Sequence, residues 1–204
     1  MRRVLPLAVL LWGLSAAPVA RAQDEIDAGA FVGGAGTVAG DGIDSPGLSF
    51  GLAGQYRPGA SVVAPELRVG FRSYESTEGG GPQYRDFDHD QVVLSFGVRL
   101  FVAPRSRHSL FFSIGGIAAP GRTTVTQHFR PFPHPIPDEV TEESGVALGG
   151  YAGAGLDLRV SDRVLVVLDV RFEYQAGVES GDPDAGFLGG TVAVAYRFPA
   201  GSRR

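Results

Sequence analysis

The chain has 204 residues, 44% of them hydrophobic and 20% charged, and a formal net charge of −4 at pH 7. It carries no basic stripe, which excludes a nucleic-acid partner, and the absence of cysteine excludes both a disulfide framework and a lipoprotein anchor. Thirty glycines beside so much apolar content favour a β-rich chain over a disordered one.

Met1-Arg2-Arg3 opens the chain as a short basic region, followed by an apolar run from Val4 to about Ala17. Ala20-Arg21-Ala22 then supplies the small-x-small pattern of a signal peptidase site, so residues 1–22 read as a cleaved secretory signal with cleavage before Gln23. The apolar run is shorter than the ~20 residues a helix needs to span a bilayer. No later stretch reaches that length without a charge or a cluster of glycines. Residues 23–204 are expected to form one domain with a short C-terminal tail.

From Gln23 onward, eight segments alternate with a period of two, the mark of extended strand, because successive side chains point to opposite faces. The first, Asp27 to Val38, is rich in glycine and alanine. The second, Leu48 to Tyr56, sets Leu48, Phe50, Leu52 and Tyr56 against Ser49, Gly51, Ala53 and Gln55. Arg57-Pro58-Gly59-Ala60 follows as a tight turn. The third, Val62 to Tyr74, opposes Val63, Leu67, Val69 and Phe71 to Glu66, Arg68, Gly70 and Arg72, and Pro65 marks a bulge or the strand start. The fourth, Gln91 to Phe101, sets Val92, Leu94, Phe96, Val98 and Leu100 against Ser95, Gly97 and Arg99. The fifth, Ser109 to Ile117, shows Leu110, Phe112 and Ile114 against Ser113 and Gly115.

The sixth and seventh segments carry the longest pattern. Val146 to Val160 and Val164 to Tyr174 each present one continuous apolar face and one face of glycine, tyrosine and charge. For the apolar residues to share a side, Val160 must pair with Val164 across the three-residue loop Ser161-Asp162-Arg163. That register puts Gly155 opposite Asp169, Gly153 opposite Arg171 and Tyr151 opposite Glu173. Large polar side chains facing glycines suit a narrow, curved interior, and long strands with an apolar outside describe a membrane β-barrel. The eighth segment, Gly189 to Phe198, opposes Val192, Val194, Tyr196 and Phe198 to Thr191, Ala193, Ala195 and Arg197.

Longer gaps, Ala39 to Gly47, Glu75 to Asp90, Pro120 to Ser144 and Glu179 to Phe187, alternate with short ones. All the long loops therefore fall at one end and both termini at the other, where the tight periplasmic turns of such barrels lie. An even strand count closes. The expected fold is all-β: an eight-stranded antiparallel up-and-down transmembrane barrel.

The pattern resembles the small eight-stranded outer-membrane β-barrel family typified by the OmpA transmembrane domain and OmpX, over Gln23 to about Phe198. The resemblance implies the outer membrane as location, outer-membrane lipid and lipopolysaccharide as surroundings, and a monomer. Within it, Gly190, Val192, Val194, Tyr196 and Phe198 look like the assembly signal read by the insertion machinery. Phe198 departs from that pattern in not being terminal, since Pro199 to Arg204 follow.

The interior face collects Glu66, Arg68, Arg72, Arg99, Asp157, Arg159, Asp169, Arg171, Glu173 and Arg197. An eight-stranded barrel is just wide enough for side chains to fill, and buried charges must be paired, so the set reads as an ion-pair plug before it reads as a gated narrow pore. Pro120 to Ser144 interleaves Pro131, Pro133, Pro135 and Pro137 with Phe132, His134 and Ile136. Alternate prolines favour a pre-ordered extended segment, and Phe129, Phe132 and His134 mark it as a surface-contact loop, with a loop lacking any ligand as the plainer reading.

Asp86, Asp88 and Asp90 alternate beside His89, but Gln91 and Gly97 occupy the positions where a calcium loop needs glycine and glutamate. Gly34-Ala35-Gly36 does not complete a dinucleotide fingerprint. No metal or cofactor is expected. Some barrels of this size act on lipid A, and such an enzyme needs a serine with a histidine in reach. Of His89, His108, His128 and His134, only His108 adjoins a serine, at the periplasmic end. The reading is a non-enzymatic envelope or surface-contact barrel, and a soluble ligand-binding barrel would require the two faces to be reversed.

Overall fold

The computed structural model describes residues 24–39, 42–43, 47–59, 61–80, 83–104, 106–129, 137–177 and 185–200. The signal reading of residues 1–22 lies outside them. Nine strands run in chain order: β1 (Glu25–Ala39), β2 (Gly42–Ile43), β3 (Gly47–Arg57), β4 (Val63–Gly80), β5 (Gln83–Phe101), β6 (His108–Phe129), β7 (Glu139–Arg159), β8 (Val164–Gly177) and β9 (Ala185–Pro199). β2 is a two-residue partner of the end of β1, so the barrel proper consists of the eight long strands. Each pairs antiparallel with the next, and β1 pairs with β9 to close the sheet.

The stagger of that closure follows from the ladder. Asp27 faces Gln55, which faces Glu66, then Gly97, Gly115, Tyr151, Glu173 and Phe187, and Phe187 returns to β1 at Thr37. One circuit therefore climbs ten residues, from Asp27 to Thr37. Such shear tilts the strands by roughly 35–45° to the barrel axis.

The faces are as the alternation requires. Leu52, Leu67, Phe96, Ile114, Val170 and Val194 are each more than half exposed on the outside, while Arg68, Arg99, Asp169 and Arg171 are buried within. On β8 the apolar outer row runs from Val164 to Tyr174. At about 3.3 Å per residue and that tilt, it spans about 25 Å, the height of a bilayer's hydrocarbon band.

The β7–β8 hairpin has the expected register, Gly155↔Asp169, Gly153↔Arg171 and Tyr151↔Glu173. Val160 N–H donates to the Val164 carbonyl at 2.9 Å, and Ser161 Oγ accepts from the Val164 amide at 3.2 Å. At the turn after β3, Gly59 takes φ 54°, and the Asp24 carboxylate accepts from its amide (3.0 Å) and from Tyr56 Oη (2.8 Å). Pro65 lies two residues into β4, just outside the β3–β4 ladder, so the strand-start reading holds.

Two of the expected long loops are mostly strand. The β4–β5 ladder continues to Gly80↔Gln83, and the β6–β7 ladder to Gln127↔Glu139. Glu75–Gly80, Gln83–Asp90 and most of Pro120–Ser144 therefore belong to a four-stranded wall, β4-β5-β6-β7, that rises past the apolar band. Above the band neither face meets lipid, so the apolar alternation that betrays a strand is lost. Threonine and valine at Thr123-Thr124-Val125-Thr126 supply the β propensity instead. Pro120 is tolerated because the β5–β6 ladder has no rung at Ala119 and Pro120.

Val170→Arg places a charge against lipid near mid-strand and should lose about 2–4 kcal/mol relative to Val170→Met, by urea unfolding in lipid vesicles. Thr124→Arg, outward on the wall, should change stability by less than about 0.5 kcal/mol. Equal losses at both positions would place the boundary of the bilayer elsewhere.

Candidate functional site: the lumen and the extracellular wall

The inner residues of eight strands meet in a narrow space, and glycine makes the room. Tyr151 lies over Gly97 and Gly115, and Phe111 over Gly155, each so close that a Cβ there would collide with the ring. This is the glycine-against-bulk pattern of a filled small barrel.

Nine of the ten expected interior charges are ion-paired: seven are linked into one network through Arg57 and Asp27, and Arg72 and Glu173 form a separate pair. Glu66 is the hub of the network: its carboxylate accepts from Arg99 Nε, Arg171 Nη2 and Tyr151 Oη, the last at 2.6 Å. Asp169 accepts from Arg171 Nε at 2.6 Å and from Arg68, and Arg72 donates to Glu173. Three of these pairs, Arg68–Asp169, Arg72–Glu173 and Arg171–Glu66, join β4 to β8, which lie on opposite sides of the barrel. Arg197 makes a two-pronged contact with Asp27, at 2.7 and 2.9 Å. Arg159 is the exception. It sits half-buried at the periplasmic end, opposite Leu165, and no ion pair of its side chain occurs among the described residues.

The sequence reading missed three members. Arg57, assigned to a turn, is the last residue of β3, buried, and donates to Asp157 at 2.9 Å. Asp27 takes both Arg197 and Gln55 Nε2, the latter at 2.6 Å. Tyr151 has its place in the expected register but not in the expected network. Arg57 is detectable from its parity with Gln55 and Ala53, were it not that Pro58-Gly59 suggests an earlier strand end.

Aromatic rings hold the guanidinium groups from above and below. Arg57 lies over Phe101 at 4.0 Å, Arg99 over Phe111 at 4.3 Å, Arg171 over Tyr151 at 4.3 Å and Arg72 over Phe187 at 4.8 Å. Phe101, Phe111 and Leu165 close the periplasmic end. Tyr74, His89 and Phe187 close the extracellular end, with Tyr74 stacked on His89 at 4.4 Å and edge-on to Phe187 at 5.2 Å. Inside, two cavities of about 40 and 20 Å³ lie among the described residues, each with room for one to a few waters.

The wall is the second candidate. Its outward face carries Glu75, Asp86, Asp88, Asp90 and Glu142 with Arg122, which pairs with Glu142 at 3.3 Å. Asp86, Asp88 and Asp90 are thus outward residues of β5 and not a loop, and no metal-holding group of side chains occurs among the described residues. His128 stacks on Tyr84 and lies 3.0 Å from Asp86 and 3.1 Å from Asp138, tying residues 137–138 back to the wall. Phe129, expected in a loop, is the last residue of β6 and pairs with Gln83. Phe132 and His134 lie outside the described residues. On β9, Gly190, Val192, Val194, Tyr196 and Phe198 all face outward, with Phe198 paired to Ile26 at the seam.

A closed strand cylinder, apolar outside and ion-paired inside, defines an integral outer-membrane β-barrel. The chain matches the outer membrane protein beta-barrel domain over residues 7–198, and it belongs to that family. Among solved structures it resembles a major outer membrane protein of Thermus thermophilus at 16% identity and TM-score 0.57, covering 86% of this chain and 99% of that one. It is also similar, with TM-score 0.43 and 16% identity over 87% of this chain and 99% of the other, to Ail, the attachment invasion locus protein of Yersinia pestis, in complex with the heparin analogue sucrose octasulfate. No curated protein sequence matches it.

Glu66→Gln removes the carboxylate that Arg99 and Arg171 share, leaving Arg171 to Asp169 and Arg99 to Asp157 at 3.6 Å, and should cost about 3–5 kcal/mol by urea unfolding in vesicles. Tyr151→Phe removes one charge-assisted bond and should cost about 1.5–3 kcal/mol. A Glu66→Gln protein as stable as the wild type would show that the hub carries no such burden.

Proposed function

We propose that this is a non-enzymatic outer-membrane protein in which the filled barrel is an anchor and the extracellular wall makes surface contacts of an adhesion type, while stiffening the envelope. The observation that carries this reading is the contrast between the two ends. The lumen is packed with paired charge under aromatic closures at both ends, whereas β4–β7 continue past the apolar band as a sheet exposed to the medium. From Pro120 to Phe129 that extension runs about 30 Å along the strand.

The outward face of the wall bears several carboxylates against Arg122, so its favoured partner is a basic surface, with contact that weakens as salt rises. The proline-alternating segment with Phe132 and His134 belongs to the same proposed contact surface. Lipid and lipopolysaccharide surround the apolar band of a monomer, and the outward row on β9 serves as the signal for the insertion machinery. Ser109 supports the non-enzymatic reading: its side chain is buried, its Oγ donates to the Leu110 carbonyl, and it lies at the periplasmic end.

Joining Gly121 to Gly145 by a short turn removes the β6–β7 half of the upper wall, and Glu75→Gln, Asp86→Asn, Asp88→Asn and Asp90→Asn neutralise the half on β4 and β5, without touching the band. The shortened protein should keep its heat-modifiable gel mobility, because the barrel seam is intact, while cells carrying it lose adherence to a polycationic or host-cell surface. Unchanged adherence would remove the wall from the proposal. The wild-type protein in planar bilayers should show no steady porin-sized current, and such a current would displace the anchor reading.

A further inference from the structure

The lumen is out of balance by one charge. Among the described residues six arginines are at least nine-tenths buried, Arg57, Arg68, Arg72, Arg99, Arg171 and Arg197, against five carboxylates, Asp27, Glu66, Asp157, Asp169 and Glu173. A sixth carboxylate, Glu25, approaches Arg197 at 3.0 Å, but it lies at the periplasmic rim, where it is 29% exposed.

A cluster of unmet donors lies toward the other end. Arg72 donates through Nη2 to Glu173, yet its Nε and Nη1 are buried without a hydrogen-bond partner, and so is Arg68 Nε. Arg68 and Arg72 both line the cavity of about 40 Å³, together with Arg171, Glu173 and the hydroxyl-bearing Ser49 and Ser95. Arg68 and Arg171 share Asp169 with each other, Arg171 and Arg99 share Glu66, and Arg72 holds Glu173, so four guanidinium groups meet three carboxylates around this space. Ordered water can satisfy orphan donors, and orphan acceptors such as Gln175 Oε1 as well, but it carries no charge. A buried surplus of cations over carboxylates is expensive in a way that water relieves only in part.

We propose that this cavity binds one monovalent inorganic anion of halide size, held by the free N–H groups of Arg72 and Arg68 and completing the charge balance of the lumen. The volume suits such an ion with one or two waters, at about 10–15 Å³ for each water-sized occupant. Ser49 and Ser95 line the same cavity as hydroxyl donors. The ion is a structural ligand beside Arg72, whose guanidinium stacks on Phe187, and not a transported one.

The test refolds the purified protein into detergent in sodium bromide, chloride or gluconate at equal ionic strength and follows the thermal midpoint of its heat-modifiable gel shift. Bromide and chloride should raise that midpoint saturably over gluconate, by roughly 5–10 °C at ~100 times the dissociation constant. Arg72→Met leaves five arginines against five carboxylates and should lose the dependence, whereas Arg72→Lys should retain it. Glu173→Gln, which makes the surplus two, should steepen it. Crystals grown in bromide should show an anomalous peak beside Arg72, a readout that does not require any variant to fold. Identical midpoints in all three salts, or a bromide crystal with water alone in the cavity, would overturn the proposal.

Discussion

Hydrocarbon offers a backbone nothing to bond with. Each peptide N–H and C=O that crosses the membrane must therefore be satisfied inside the protein, and strands achieve that only by closing on themselves. The β1–β9 ladder, from Glu25↔Pro199 to Val38↔Gly186, is the seam on which closure depends. Everything else in the barrel follows from sealing it with eight strands and a ten-residue stagger. The stagger fixes the radius, the radius fixes how much side chain the interior must hold, and the outward row is left to be as apolar as the lipid.

Closure at that radius creates the interior problem. At this radius side chains can fill the interior, and the ones that line it are too polar to collapse as a hydrophobic core. The chain meets both conditions with arginine, whose planar head stacks on an aromatic ring while its N–H groups reach carboxylates. Phe31, Phe101, Phe111, Tyr151 and Phe187 supply the rings, and glycines at 97, 115 and 155 vacate space that Tyr151 and Phe111 occupy. Buried ion pairs are poor sources of net stability, because desolvation offsets most of the attraction. Their role here is geometric: pairs that join β4 to β8 hold opposite walls at a set separation.

Legibility in the sequence follows the solvent on each face. Where one face meets lipid and the other the lumen, the period of two is unambiguous, and even the β7–β8 register could be placed to the residue, because a one-residue slip would invert both faces. Where strands rise out of the membrane both faces meet water and the contrast vanishes, so the upper halves of β4 to β7 read as loops. Glycine hid the start of β1, and with it the role of Asp27. Proline and glycine hid Arg57. The membership of the charged interior was mostly visible, but the pairing was not: Arg68 and Asp169 are 101 residues apart in sequence and meet only because closure brings β4 and β8 face to face.

The wall and the lumen are different kinds of structure, and they touch at one place. Below it, Arg72 packs on Phe187 and pairs with Glu173. Above it, Tyr74 and His89 stand on β4 and β5 as these strands leave the band, and His89 Nδ1 meets Thr123 Oγ1 at 2.9 Å on β6. Phe187 against Tyr74, and Tyr74 against His89, thus form the joint between a rigid ion-paired plug and a sheet that has water on both sides. Sites separated by more than about 7–10 Å with no shared partner contribute to stability independently. These three rings are the contacts through which the wall beyond His89 and the network below Arg72 can couple. Substitutions on the wall therefore reach the ion-paired lumen through the rings at positions 74, 89 and 187.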